Sequence, residues 1–378
     1  MSANPKLTVV LTTINVPTLL EGYAGNFDRY SHLGKVDVIV VGDRKTPHPA
    51  NRDLAAKLTA RGLPTEYMDV ETQDAYMKRF PEMDGLIPYD SDQRRNIGYL
   101  KAAEQGAEIV GLLDDDNFVT DDDWYGEMSI VGRRVSLPTV ESSNQWFNPC
   151  AMLETDPPGR ILFPRGHPYS RRHRSQAKET RTVTEGRVAI NAGLWLREAD
   201  VDSLTRLTEP VQTTALKDEQ VMCAPGTWAN INTQNTSFHR DVLPAYYFVP
   251  LTARIGGHII ERYGDIWAGH FVRKAIDVMD DRVAYGRPLA DQVRNVHDLL
   301  HDLQLEYWGV LLNEQLWEQL YEWKVDGGSY ANAYLSIADH LDASTWKGVP
   351  LVDEVRAHWR RMARAMRAWV AATRRLGY

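Results

Sequence analysis

Two uninterrupted apolar, β-branched runs open the chain, at residues 7–11 (LTVVL) and 36–41 (VDVIVV). Runs of this kind are buried on both faces, which predicts strands of a parallel sheet with helices packed on it. Residues 18–30 between them have the pattern of a helix, so the chain starts as strand–helix–strand. Helical spacing returns over residues 92–106, where Ile97, Leu100 and Ala103 recur on one face and Gly106 supplies a C-terminal stop. A third buried strand is predicted at residues 109–113 (IVGLL), running straight into Asp114-Asp115-Asp116-Asn117. The second strand also ends in a polar turn, Gly42-Asp43-Arg44, and open α/β sheets bind ligands at such carboxyl ends.

The pattern then loosens. Residues 142–187 read as loop-rich, with Pro149, Pro157, Pro158, Pro164 and Pro168, and carry a basic stretch over 165–174 (RGHPYSRRHR). After Gly256-Gly257 and residues 262–267 (RYGDIW), a helix is predicted to run to about Met279. Residues 304–378 are mostly helical in pattern. The last helix, 352–375, sets Val355, Trp359, Met362, Met366 and Val370 on one stripe among many arginines. Packing of that stripe on its own domain is expected ahead of a subunit contact or an anionic membrane surface. The predicted fold class is α/β.

Composition narrows the classes of function. A hydrophobic share of 43% and a charged share of 25% are those of a globular chain with a sizeable core. The net charge of -8 argues against a nucleic-acid partner, because no excess of cations offsets phosphate. A nucleotide, which needs only a local site, remains compatible. Cys150 and Cys223 are too few for a disulfide framework or a cysteine metal site, which fits a reducing cytoplasm. The start MSANPKLTVVLTTIN lacks the ordered parts of a signal peptide, and no segment approaches the roughly 20 apolar residues of a membrane span. The expected location is the cytoplasm.

Three consecutive aspartates at the end of a buried strand repel one another unless a cation or hydrogen bonds offset them. Side chains alternate along a strand exit, so Asp114 and Asp116 are predicted to share a side and flank one ion, leaving Asp115 to the backbone or a neighbouring cation. Their hard oxygens suit Mg²⁺ or Mn²⁺, ions that bridge a diphosphate and neutralise a leaving group. The bland alternative is a solvated acidic turn. Asp121-Asp122-Asp123 lacks the strand context and reads as capping for a following helix. The basic stretch around Arg165 suits phosphate, and its alternative is a solvated loop. His239, His258, His270, His297 and His301 are possible ligands or bases, each more simply a structural or surface histidine.

The order of several blocks resembles the reversibly glycosylated polypeptide family, whose plant members are UDP-arabinopyranose mutases. These blocks are residues 11–15 (LTTIN), Arg95 with Gly98-Tyr99, the Asp114-Asp115-Asp116 triplet, 163–170 (FPRGHPYS), 193–196 (GLWL), 235–240 (NTSFHR) and 262–269 (RYGDIWAG). They lie between Leu7 and Tyr307, with little similarity in the C-terminal helices. The resemblance implies a glycosyltransferase-A-like fold over a catalytic domain of residues 1–303, followed by a C-terminal helical region, 304–378. It implies a nucleotide held by Thr12, Thr13, Asn15, Asp43, Arg95, Asp114 and Asp115, and Mn²⁺ or Mg²⁺ held by Asp114 and Asp116. Arg165 is implied to lie near the anomeric carbon, with Asp265 and Trp267 as further catalytic residues. The family carries a histidine-bearing block after the tryptophan segment, and His297 is the nearest counterpart here for a third metal ligand.

The implied activity moves a nucleotide-linked sugar between pyranose and furanose rings. The Arg- and Ala-rich composition suggests a bacterial member. Actinobacterial relatives in pathways to furanose-bearing antibiotics point to GDP-L-galactose or GDP-L-fucose first, and UDP-arabinose next. Two other readings stay open: a glycosyltransferase passing the same donor sugar to an acceptor, and a self-glycosylating or sugar-nucleotide-binding subunit. Homo-oligomers are common in the family, and the C-terminal helices are the expected contact.

Overall fold

A computed structural model describes residues 5–172, 178–208, 210–249, 254–294 and 297–378. The chain starts with β1 (Leu7–Thr13), α1 (Leu19–Arg29), β2 (Val36–Gly42), α2 (His48–Ala60), β3 (Thr65–Met68) and α3 (Val70–Met77). It continues with α4 (Arg95–Glu104) and β4 (Ile109–Leu112). In space the order is β3-β2-β1-β4, every pair parallel, with Leu7 opposite both Val36 and Ile109. The apolar runs therefore form strands covered on both faces. Val9 and Leu11 join a cluster with Tyr23 and Phe27 of α1, while Val10 faces the opposite cluster with Ile97 and Leu100 of α4. Helix α4 lies so close that a Cβ on Gly98 would sit 2.4 Å from Val10 Cγ1. The helix stops at Gly106, which takes the left-handed φ of 78° expected of it.

Beyond β4 the chain forms β5 (Asn117–Val119), α5 (Trp124–Met128), β6 (Arg134–Ser142), β7 (Leu153–Asp156), α6 (Tyr169–Arg172) and β8 (Glu179–Arg197). Next come α7 (Ser203–Thr208), β9 (Gln212–Leu216), β10 (Val221–Cys223) and β11 (Thr236–His239). The last part holds a small β12 (Arg254–Ile255) and β13 (His258–Ile259) ribbon, then α8 (Gly264–Val278) and β14 (Arg282–Gln292). Among the described residues these strands extend the parallel part into a twelve-stranded mixed sheet, in which β11 runs antiparallel to β4 and β14 lies parallel to β8. The chain is thus an α/β fold, parallel where it starts and mixed beyond.

Residues 142–187 are less loop-rich than their prolines suggest. The first half of β8 pairs with β6, from Arg187 opposite Arg134 to Glu179 opposite Ser142. Glu179 through Glu185 are exposed, so this arm has no apolar face and leaves no alternation to read in the sequence. The basic stretch is absorbed internally as far as it is described. Arg172 pairs with Asp202 at 2.6 Å and lies 3.8 Å from the centre of the Tyr169 ring, and Arg171 sits over Trp317. His173 and Arg174 fall outside the described residues. Of the second acidic triplet only Asp123 caps α5, accepting from Gly126 N at 2.9 Å. Asp122 accepts from Leu289 N, and Asp121 pairs with Arg29.

The C-terminal helices are α9 (Leu299–Glu322), α10 (Tyr330–Asp342) and α11 (Val352–Arg375). The first starts at Leu299 because Asp298 caps it, accepting from the backbone N–H groups of Leu300 and His301. The predicted stripe of α11 is buried against the chain itself: Trp359, Met366 and Trp369 belong to the same core cluster as Val10 and Ile97. Trp369 stacks on Tyr247 at 5.2 Å and donates from Nε1 to Leu243 O at 2.9 Å. Among the described residues no helix is long and apolar enough to cross a membrane. Trp369→Ala is expected to cost about 3–5 kcal/mol in urea denaturation, the usual cost of emptying a buried tryptophan site. A negligible loss would show that α11 is not part of the common core.

Candidate active site

The carboxyl ends of β1, β2 and β4 converge on a cavity of about 290 Å³. Thr12 and Thr13 close β1, Asp43 follows β2, and the acidic triplet follows β4, so three of the predicted turns line one space. The three aspartates have different partners. Arg95, buried on the first turn of α4, forms an ion pair with Asp114 and donates to Thr233 O at 2.6 Å. Asp115 accepts from Thr13 Oγ1 at 2.6 Å and Asn15 Nδ2 at 3.2 Å. Asp116 accepts only a 3.3 Å contact from Asn117 Nδ2 and has no ion-pair partner among the described residues. Burial, then the neighbouring Asp114 and Asp115 charges, pushes its carboxyl up to about 7. Asp43 lines the cavity but already receives backbone N–H groups from Arg44 at 2.7 Å and Ser91 at 3.0 Å.

A second cavity of about 780 Å³ adjoins the first. Asp92, Asp114 and Asp116 line both, whereas Asp115 lines only the smaller one. The alternation expected for the triplet is therefore present. In the wall of the larger cavity Arg165 is fixed between two buried carboxylates. Its Nε and Nη2 donate to Asp200 at 3.0 and 3.1 Å, and its Nη1 and Nη2 donate to Asp265 at 3.1 and 3.0 Å. Nη1 also donates to Arg262 O. Those bonds occupy all five guanidinium N–H donors. Burial opposes the Arg165 charge, but Asp200 and Asp265 outweigh it and hold the group well above its ordinary value. Arg262, which supplies that carbonyl, has a left-handed φ of 61° and is anchored through Nε to the fully buried Glu306 at 2.8 Å.

Of two further expected residues, one lies outside the cavities and the other lines the larger one. Trp267 is fully buried and lines neither cavity; its ring packs 4.7 Å from Trp359 and 5.8 Å from Tyr263. Asp265 and Trp267 are two positions apart on α8, a rotation of about 200°, so when one faces the cavity the other faces the core. His297 lines the larger cavity but turns Nδ1 to Asp302 at 3.0 Å. Among the described residues no three carboxylate, imidazole or thiol groups stand together as a metal cage. Mg²⁺ and Mn²⁺ do not require one, since one or two carboxylates plus substrate phosphates hold them. Asp116, unpaired and adjacent to Asp114 across the cavity mouth, meets that requirement.

Other cavity groups gave no sequence signal of their own. Asp200 lies beyond the end of β8, and only the tertiary pairing with Arg165 marks it. Asp92 opens into both cavities and remains exposed to solvent. Gln292 and Arg294 come from the end of β14. The stretch 292–297 draws attention in the sequence for its histidine, whereas its arginine is the group buried in the wall.

Two outcomes follow from this geometry. Trp267→Phe should lower the melting temperature yet leave nucleoside diphosphate affinity unchanged, as read by calorimetry; a selective loss of affinity would restore a direct role. For Asp116, folding raises the carboxyl from its ordinary 3.8 to about 7, so the folded state binds the proton more tightly and loses stability as pH rises across that window. Asp116→Asn should therefore melt higher than the parent at pH 8 in chelator and nearly equal to it at pH 4. A parallel offset at both pH values would contradict the raised carboxyl.

Residues 33–377 match the family model described as "Reversibly glycosylated polypeptide". Among curated relatives the chain is similar to UDP-arabinopyranose mutase 3 of Arabidopsis thaliana, 28% identical over 61% of this chain and 58% of that protein. It is also similar to the probable UDP-arabinopyranose mutase 2 of Solanum tuberosum, 24% identical over 76% of this chain and 72% of that one. The matched segment thus spans less than two thirds of the Arabidopsis protein's length. Among solved structures there is a loose likeness to glucosyl-3-phosphoglycerate synthase from Mycobacterium tuberculosis, at TM-score 0.39 and 12% identity over 82% of this chain and 79% of that one. A mannosyltransferase from Pyrobaculum calidifontis is similar at TM-score 0.37 and 13% identity, over 100% of this chain and 88% of that one. With the family model covering nearly the whole sequence, the chain belongs to the reversibly glycosylated polypeptide family.

Proposed function

We propose that this chain is an enzyme that interconverts the pyranose and furanose forms of a nucleotide-linked sugar, with Mn²⁺ or Mg²⁺ as cofactor. The observation that carries this reading is the pair of joined cavities, one at the carboxyl ends of β1, β2 and β4 and one walled by the Asp200–Arg165–Asp265 cluster, sharing Asp92, Asp114 and Asp116. In this reading the nucleoside occupies the smaller space, the diphosphate lies at the junction beside Asp114 and Asp116, and the sugar occupies the larger. The relatives that match are named for UDP-arabinopyranose, which supports UDP-arabinose as substrate ahead of the GDP-L-sugars that the resemblance to actinobacterial relatives put first.

The reaction breaks the anomeric C–O bond, whose electron pair leaves with the diphosphate. The sugar then exchanges its C1–O5 bond for a C1–O4 bond, one proton passes from O4 to O5, and the diphosphate re-forms its bond to C1. A divalent ion on Asp114 and Asp116 would offset negative charge on the departing diphosphate. Asp92 opens onto the junction, has no ion-pair partner among the described residues, and is the carboxylate assigned to carry the O4 proton. The Asp200–Arg165–Asp265 cluster shapes the sugar wall. With every donor of Arg165 engaged, its role in this reading is electrostatic positioning rather than covalent attachment of the sugar, which would require bonds to Asp200 or Asp265 to break first.

The test is incubation with UDP- and GDP-sugars plus Mn²⁺, followed by chromatography that separates furanose from pyranose isomers. Isomer formation that stops in excess chelator and in Asp116→Ala supports the proposal. Transfer of label to an added acceptor without isomerisation would replace it with the glycosyltransferase reading. Arg165→Lys keeps a charge but loses the planar fork, so turnover should fall by about tenfold or more; an undiminished rate would remove Arg165 from the mechanism.

A further inference from the structure

The arginines around the larger cavity are not equivalent. Arg165 has all its donors engaged, and Arg262 is held by Glu306 and, at 3.6 Å, by Asp302. Arg254 is exposed on the β12–β13 ribbon and donates to Gly257 O. Arg294 differs from each of them. Its side chain is 9% exposed, and its nearest carboxylate, Glu198, stays 3.9 Å away, beyond hydrogen-bond distance. A guanidinium taken from water without a bonded anion is costly, and Arg262 close by adds repulsion.

The backbone sets what Arg294 faces. Strand β14 pairs antiparallel with β5, Gln292 opposite Asn117, and Val293 N donates to Asp116 O at 3.0 Å. The end of β14 is thereby laced to the acidic triplet. Gln292, the last residue of β14, and Arg294, two residues beyond it, both line the larger cavity. Gln292 is 1% exposed, and its side-chain oxygen has no hydrogen-bond partner. A guanidinium at the wall beside Asp116, held only by a long ion pair to Glu198, points to an anionic ligand on this spot, and the unpartnered Gln292 oxygen next to it suits a donor such as a sugar hydroxyl.

We infer that Arg294 is the protein's direct contact to the diphosphate of the bound nucleotide-sugar, paired to its oxygens from the β14 side. The inference rests on the nucleotide-sugar reading above and adds the residue that meets the leaving group. A planar fork matches phosphate oxygens two at a time, and the position beside Asp116 places the guanidinium where anomeric bond cleavage delivers charge. Binding the diphosphate relieves the buried cation, so the free protein is less stable for carrying Arg294 and the bound form is more stable for it.

Calorimetry with UDP and GDP as probes, and uridine and guanosine as controls, tests this in the presence of Mn²⁺ and again in chelator. Arg294→Met should weaken diphosphate binding by about 10- to 100-fold, the usual effect of losing a charge-assisted pair, while nucleoside binding stays as in the parent. Arg294→Lys should fall between the two. The unliganded Arg294→Met protein should melt at the parent temperature or above, and its melting point should rise less on adding UDP or GDP. A lower melting point with unchanged diphosphate affinity would reduce Arg294 to a structural residue and overturn the inference. Unchanged UDP or GDP affinity in a variant of an enzyme that isomerises sugars would sink the inference and leave the proposed function standing. Arg294-dependent diphosphate binding without isomerisation would do the reverse.

Discussion

Buried carboxylates repel one another unless cations meet them, and the cavity of this protein is organised around that requirement. Arg165 meets it in the sugar wall, where one guanidinium bonds Asp200 and Asp265 and takes a further carbonyl from Arg262. Arg95 meets it at the triplet, neutralising Asp114 from the first turn of α4. Each clamp joins segments distant in sequence. Residues 165, 200 and 265 come from a loop, the end of β8 and the start of α8, so the pairings fix the second half of the chain around the cavity. Removing one partner would leave a charge stranded in low dielectric.

Where the clamps stop, reactivity begins. Asp116 and Asp92 open onto the junction of the two cavities without cation partners, and Asp116 holds its proton above the usual carboxylate range. Arg294 is the matching cation without a bonded anion. An acid without a cation partner near an arginine with only a long ion pair is costly in the free protein, and in the proposed complex a diphosphate with its divalent ion would relieve both. The same uncompensated charges that weaken the empty fold thus favour the bound ligand over water. Stability is given up at this spot and recovered from the core shared by the sheet and the C-terminal helices.

The N-terminal half was legible in the sequence to a high degree. Strands β1, β2 and β4 and helices α1 and α4 follow from apolar runs and helical spacing, because elements buried on both faces leave unbroken hydrophobic signatures. The acidic triplet was readable for the same reason: its place after such a strand puts it at the ligand end of the sheet. The extended α11 stripe also survives as an element, with its apolar side turned to its own chain. The arm of β8 was not legible, since both its faces are solvated and nothing apolar alternates along it.

The sequence by itself determined the α/β class, the strand exits and the family blocks, all of them local or ordered along the chain. Tertiary structure alone decided which charges are paired. It put Trp267 in the core by the rotation of α8, and paired His297, in the wall of the larger cavity, with Asp302. It brought Asp200 to Arg165 and left Arg294 with only a long ion pair to Glu198. Arg165 meets Asp200 and Asp265 across 35 and 100 positions of sequence, and short-range periodicity carries no information about such contacts.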